Sequence, residues 1–290
     1  LLDGRDDETV AWQMTDRLVR DAQQVFLPAW EASDGDDGYV SFELDPLLED
    51  PSRDIPHDQR VAAYVESGKF WSNGHVNRLI KVPATPAGIE ALEPLAAAGV
   101  PLNVTLIFTE PQYVASRDSV WRGAQQLHDL NRFKSVYSIF VSRLDVYTAD
   151  SVLGLSSLGQ GMVGIVNAKR IWQQNQAFWA DHATSLRQEI VFASTGVKNP
   201  QDDPCKYVAA LAGSDIQTNP PATNLAVTDS GRSFTRQIDA PIDADVQQEI
   251  DAEVDFEKLL DVLMTEGIDK FASPQLQLLQ LICEKRAAFA

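Results

Sequence analysis

Three short runs of strand period, each separated from the next by a stretch of helical period, restrict this chain to an α/β fold with parallel strands. In Val40-Ser41-Phe42-Glu43-Leu44-Asp45, the residues Val40, Phe42 and Leu44 share one face, and Ser41 and Glu43 the other. In Leu79 to Val82, Ile80 and Val82 face one way, and Leu79 and Lys81 the other. In Asn103 to Thr109, Val104, Leu106 and Phe108 form one row, opposite Asn103, Thr105, Ile107 and Thr109. Between them His57 to Phe70 carries Val61, Ala62 and Val65 at helical spacing. After Lys81, Thr85 is placed to cap a helix and Pro86 to open it, with Ile89, Leu92 and Leu95 on one stripe and Gly99 as the stop. A further helix is expected over Pro111 to Leu130. Repeated units of this length predict a parallel (β/α)8 TIM-type barrel with its site at the C-terminal strand ends. The alternative is an open doubly wound sheet, and the chain shows no glycine-rich phosphate loop after its first strand.

If the apolar rows pack outward on helices, the opposite faces bring a carboxylate, an amine, an amide and a hydroxyl into one interior. Lys81 gives that interior its chemistry. Desolvation disfavours an ammonium, so a buried lysine becomes the free amine that attacks a carbonyl and forms a Schiff base. The plainer readings are a surface lysine or an interior Glu43–Lys81 ion pair, with the neighbouring polar residues satisfied by backbone.

Later segments continue the pattern. Strands are expected near Ser138 and Val191, and a long helix over Met162 to Leu186. A short helix is expected over Cys205 to Ala212. Ser230 to Glu253 is acidic and weakly patterned, an expected excursion over the surface, and Phe256 to Phe289 is expected to form two closing helices. The 290 residues suit a single barrel domain spanning 1–290, since a barrel typically takes about 250 residues. No apolar run approaches the roughly 20 residues of a membrane helix. The net charge of −18 argues against nucleic-acid binding, which rests on cationic contacts to phosphate. Cys205 and Cys283 lack metal-ligand spacing and read as reduced buried thiols of a cytoplasmic protein. His57, His75, His128 and His182 are scattered, so no metal is expected. No signal peptide is seen, and organellar import stays open.

Several motifs, in order, resemble transaldolase: Val40 to Pro46, Ile80-Lys81-Val82-Pro83-Ala84-Thr85, Asn103 to Phe108, Ser138-Ile139-Phe140-Val141-Ser142-Arg143, and Ala193-Ser194-Thr195-Gly196-Val197-Lys198-Asn199-Pro200. The resemblance runs from about residue 9 to the C-terminus. It implies an eight-stranded barrel in which Lys81 forms a Schiff base with a ketose phosphate and no cofactor takes part. Glu43 would act with an ordered water as general acid and base, Thr105 would hold that water, and Asn103 would bond a sugar hydroxyl. Phosphate would fall to Ser138 and Arg143, with Lys198 as a second cation; for Arg143 the alternative is a salt bridge to Asp145. Such cations would draw an anionic substrate in against the overall negative field. Sugar phosphates are the expected partners, and the chain is expected to be a monomer or homodimer. The resemblance also implies a further strand near Ile216, and two strands ahead of the first helix that carry an aspartate and an Asn-Pro loop. The residues supply six strands, so the barrel is expected to lack its first two. A related class I aldolase, or an impaired barrel that only binds sugar phosphate, remains the alternative.

Overall fold

The computed structural model describes residues 4–289; residues 1–3 and 290, the ends of the single unit expected above, lie outside it. Among the described residues six parallel strands form one sheet in sequence order, β1 (Val40–Glu43), β2 (Arg78–Pro83), β3 (Leu102–Ile107), β4 (Ser135–Phe140), β5 (Glu189–Ala193) and β6 (Ile216–Gln217). All six lie at the expected positions, the first three where the alternation placed them. The sheet is an open part-barrel, with β1 and β6 each paired on one side only.

Helices cover the outer face: α1 (Asp7–Ala32), α2 (His57–Ser72), α3 (Pro86–Ala97), α4 (Glu110–Ala124), α5 (Ser142–Ser151) and α6 (Val163–Ala180). The main core lies between sheet and helices, where Phe42, Ile80, Val82, Val104, Tyr137, Ile139, Ile190 and Phe192 meet Leu92, Leu95, Val120 and Ile171. The inward layer near the N-terminal strand ends is thinner: Leu79, Val136 and Val191 pack with Tyr39 and Ile216. A second core, containing Leu106, Phe108, Phe140, Leu144, Val163 and Leu263, closes the C-terminal side of β3 and β4.

The turn after β2 shows how closely this frame is fitted. Thr85 accepts from Gly88 N at 3.0 Å, capping α3, and donates to Glu49 Oε1 at 2.6 Å. Glu49 also accepts from Tyr64 OH, which ties the 3-10 turn after β1 (Pro46–Glu49) to α2 and α3. Gly99 ends the helix region at φ +74°, a conformation that favours glycine. At Gly88 a Cβ would lie 1.9 Å from Pro83 O. Gly88→Ala is therefore expected to destabilise by about 1–3 kcal/mol in chemical denaturation, since the clash is with backbone.

The structure corrects four expectations. First, β3 does not alternate to its end: Leu106 has φ +57°, and the pairing with β4 shifts register between Val104 and Ile107. Ile107 consequently packs in the helix-side core, while Leu106 and Phe108 turn into the second one. Second, Phe256–Phe289 is one helix of 34 residues, α10, with Pro274 inside it. A proline inside a helix loses a hydrogen bond and costs about 3 kcal/mol, but α10 is anchored on both sides of it. Leu259 and Leu263 sit in the second core, and Ile282 packs on Val10 and Ala11 of α1. Third, the acidic stretch contains α9 (Ala244–Glu253), whose Val246 and Ile250 are buried in the second core. Ile238, just before it, is buried in the main one. Fourth, Cys205 is buried but Cys283 is exposed; both are free thiols. The remaining elements are the short helices α7 (Lys206–Ala210) and α8 (Pro221–Ser230). No helix among the described residues is long and apolar enough to cross a membrane.

Candidate active site

Strand register alone aligns the amine with its neighbours. Glu43 pairs with Lys81 across β1 and β2, and Lys81 pairs with Asn103 across β2 and β3. Equal parity sends all three side chains to the same side of the sheet. Lys81 Nζ lies 3.3 Å from Glu43 Oε2, with the lysine side chain 21% exposed. Burial raises the Glu43 pKa above the ordinary carboxylate value, and the Lys81 charge and hydrogen bond pull it back in part.

Asn103 is buried and held at both ends of its amide. Its Nδ2 donates to Ser41 Oγ at 2.9 Å, and its Oδ1 accepts from Ser138 Oγ at 2.7 Å. These bonds orient the amide and leave the second Nδ2 hydrogen as its remaining donor. Thr105 is fully buried, and its Oγ1 has no hydrogen-bond partner. An unpartnered buried hydroxyl is costly, so its presence beside this row points to a polar group that it serves.

A cleft of about 580 Å³ is lined by the cations Arg143, Lys198 and Lys270 and the carboxylates Asp150 and Glu266, together with Ser194 and Tyr147. Arg143 projects from the first turn of α5, its guanidinium 5.1 Å from the Phe140 ring centre. Its Nη1 is buried without a hydrogen-bond partner. Burial draws its pKa below the ordinary arginine value, while the Glu266 charge opposes that shift. The alternative partner, Asp145, is engaged elsewhere: it accepts from Gly164 N at 2.8 Å and from Tyr207 OH at 2.7 Å. The cleft thus carries three cations against two carboxylates, Asp150 and Glu266, and Lys270 Nζ lies 3.5 Å from Glu266 Oε2, which leaves Arg143 and Lys198 as its cations without a carboxylate in salt-bridge range among the described residues.

The residues singled out in sequence thus fall into two groups. Lys81, Glu43, Asn103, Thr105 and Ser138 belong to the sheet interior, whereas Arg143 and Lys198 line the cleft. Ser138 contacts Asn103 and is absent from the cleft lining. Helix α10 joins the groups: Glu266 and Lys270 line the cleft, and Phe271 places its ring centre 5.0 Å from Lys81 Nζ. Ser194 and Phe271 were not singled out. Ser194 has a detectable backbone signature, φ +55° at the end of β5, and its Oγ is 2.9 Å from Ser142 Oγ. Phe271 has no local signature, since its contact with Lys81 crosses most of the chain. Among the described residues no group of three or more His, Cys, Asp or Glu side chains could hold a metal ion.

Comparison with known proteins agrees with this geometry. The family model for transaldolase/fructose-6-phosphate aldolase matches residues 2–282. "Transaldolase 2" of Streptomyces avermitilis is 31% identical over 272 residues, covering 87% of this chain and 71% of that protein. "Transaldolase" of Mycolicibacterium paratuberculosis is 36% identical over 242 residues, covering 78% and 63% respectively. "Transaldolase" of Thiobacillus denitrificans is 37% identical over 231 residues, covering 74% and 62%. The chain therefore spans between about three-fifths and seven-tenths of the length of these relatives. With a strand-borne lysine, its carboxylate neighbour and almost the whole length matched, the chain belongs to the transaldolase/fructose-6-phosphate aldolase family.

Proposed function

We propose that this chain performs transaldolase chemistry: it transfers a dihydroxyacetone unit from a ketose phosphate, fructose 6-phosphate or sedoheptulose 7-phosphate, to an aldose phosphate. The reaction is a step of the non-oxidative pentose phosphate pathway and needs no cofactor. The observation that carries this reading is the register row Glu43–Lys81–Asn103, joined through α10 to a cleft in which Arg143 Nη1 is buried without a hydrogen-bond partner.

Lys81 Nζ is the nucleophile. Passing a proton to Glu43, which is within hydrogen-bond reach, frees its lone pair to attack the ketose carbonyl carbon. Glu43 returns a proton to the departing hydroxyl of the carbinolamine, and the imine forms with loss of water. Glu43, a carboxylate again, then takes the proton of the sugar's C4 hydroxyl through its water, the C3–C4 bond breaks, an aldose phosphate leaves and an enamine remains on Lys81. Attack of that enamine on a second aldose phosphate reverses these steps. Thr105 holds the water through which Glu43 acts, and Asn103 Nδ2 bonds a sugar hydroxyl near the imine carbon. Ser138 keeps the Asn103 amide in that orientation and reaches the phosphate only in the loaded site. Arg143 and Lys198 take the phosphate.

The rival reading is a barrel that binds sugar phosphate without turnover. A coupled assay showing product formation excludes it. For the first reading, Glu43→Gln is expected to lower kcat by about 10²–10⁴-fold with KM changed much less, because proton transfer is the step it serves. Since burial raises the Glu43 pKa, the wild-type rate is expected to fall, as pH drops, at a pH above the ordinary carboxylate range. That acid limb should vanish in Glu43→Gln. A change confined to KM, or an unaltered limb, contradicts the role.

A further inference from the structure

Helix α10 reaches the amine from a direction that neither the sheet nor its loops supply. Leu263, Gly267 and Phe271, spaced four apart, lie along one side of it. Leu263 is buried in the second core. At Gly267 a Cβ would stand 3.1 Å from Leu106 Cδ2, tighter than most side-chain contacts, and in ordinary contact at 3.5 Å with Phe108 Cζ. The missing side chain thus lets the helix lie close on the end of β3, where the left-handed Leu106 has turned its side chain out of strand alternation to meet it. One turn further, Phe271 brings its ring centre to 5.0 Å from Lys81 Nζ.

This placement bears on the fate of the covalent intermediate, and the inference rests on the reading that Lys81 forms an imine. After C–C cleavage the three-carbon enamine on Lys81 has two exits. In transfer, the enamine carbon attacks the acceptor's carbonyl carbon, a C–C bond forms, and the carbonyl oxygen takes up a proton. In release, that carbon takes up a proton instead, water adds to the iminium carbon, and the C–N bond breaks to give dihydroxyacetone and the free amine. Both exits start from the same atom, so access of water decides between them. We propose that Phe271 is a shielding residue that keeps bulk water, as distinct from the single water held by Thr105 for Glu43, off the Lys81-bound unit and thereby sets transfer above release of free dihydroxyacetone. An aromatic face suits this task, since it tolerates the cationic iminium while offering water no hydrogen-bond partner in its plane.

The test uses the full chain with fructose 6-phosphate as donor and erythrose 4-phosphate as acceptor. It reads the ratio of free dihydroxyacetone to sedoheptulose 7-phosphate, with borohydride trapping on Lys81 in parallel. In Phe271→Ala the ratio is expected to rise about tenfold while the adduct on Lys81 persists. An unchanged ratio with the adduct retained overturns the proposal. Loss of the adduct from the wild-type protein overturns the imine reading itself, and the proposal with it. Should Phe271→Ala lose its helical circular dichroism, Phe271→Leu decides, with a smaller rise expected and an unchanged ratio again contrary. Should turnover be too slow to measure, the lifetime of the trappable intermediate after removal of free ketose is read instead. It is expected to shorten about tenfold in Phe271→Ala, and an equal lifetime in both proteins rejects the shielding role.

Discussion

Lys81→Ala is expected to lose borohydride-trappable imine entirely and to lower kcat/KM by about 10⁴-fold or more, the scale seen when a nucleophile is removed. The fold should survive. The Lys81 side chain is partly exposed at the strand's inner face, and the main core around Ile80 and Val82 packs on the other side. Its removal leaves Glu43 without a cation, yet Glu43 can take up a proton, and its pKa, already raised by burial, should rise further without Lys81 to oppose the shift. Circular dichroism and the denaturation midpoint should therefore stay near wild type while chemistry stops. An imine still trapped in this variant would assign the nucleophile to another lysine.

Arg78, three residues earlier on the same strand, should show the converse: a large loss of stability. Its side chain is fully buried. Nε and Nη2 donate to Gln23 Oε1 at 3.1 and 2.9 Å, Nη1 donates to Trp71 O at 2.9 Å, and Nη2 also reaches Asp16 Oδ1 at 2.8 Å. The guanidinium also lies 4.9 Å from the Phe42 ring centre. One fork thus ties α1 and the end of α2 to β2. Arg78→Ala leaves Asp16 with one cation fewer, Gln23 and Trp71 O without donors, and a cavity the size of an arginine. The expected cost in denaturant unfolding is about 3–5 kcal/mol, the range for breaking a buried pair by removing one partner. Arg78→Lys keeps the charge but not the planar fork, so it should recover only part. A loss below about 1 kcal/mol for Arg78→Ala would mean that α1 docks on the barrel by other contacts.

Reading the sequence succeeds here where local period and long-range geometry coincide. The first three strands follow from alternation, and parallel register turns matching parity into spatial neighbours, which is how Glu43, Lys81 and Asn103 meet. Where a local rule is overruled from a distance, the reading stops. Leucine gives no sign of the left-handed conformation at Leu106, which is stabilised by neighbours: Gln112 Nε2 donates to Leu106 O at 3.3 Å, and its Oε1 accepts from Phe108 N at 2.9 Å. Pro274 announces a helix break, but packing on either side of it carries α10 through. Asp145 stands two residues from Arg143 and by spacing alone is its ion-pair partner, yet the helix turns its carboxylate toward Gly164 and Tyr207. Arg78 gives a similar lesson, since only the fold reveals that a charged residue at a strand start is fully buried.

The central claim, that Lys81 is the Schiff-base nucleophile of an assembled site, is tested most directly by borohydride trapping of the wild-type chain with fructose 6-phosphate, followed by intact mass and peptide mapping. The account predicts one adduct per chain, located on Lys81. A folded sample that gives no adduct, or carries it on a different lysine, would contradict it.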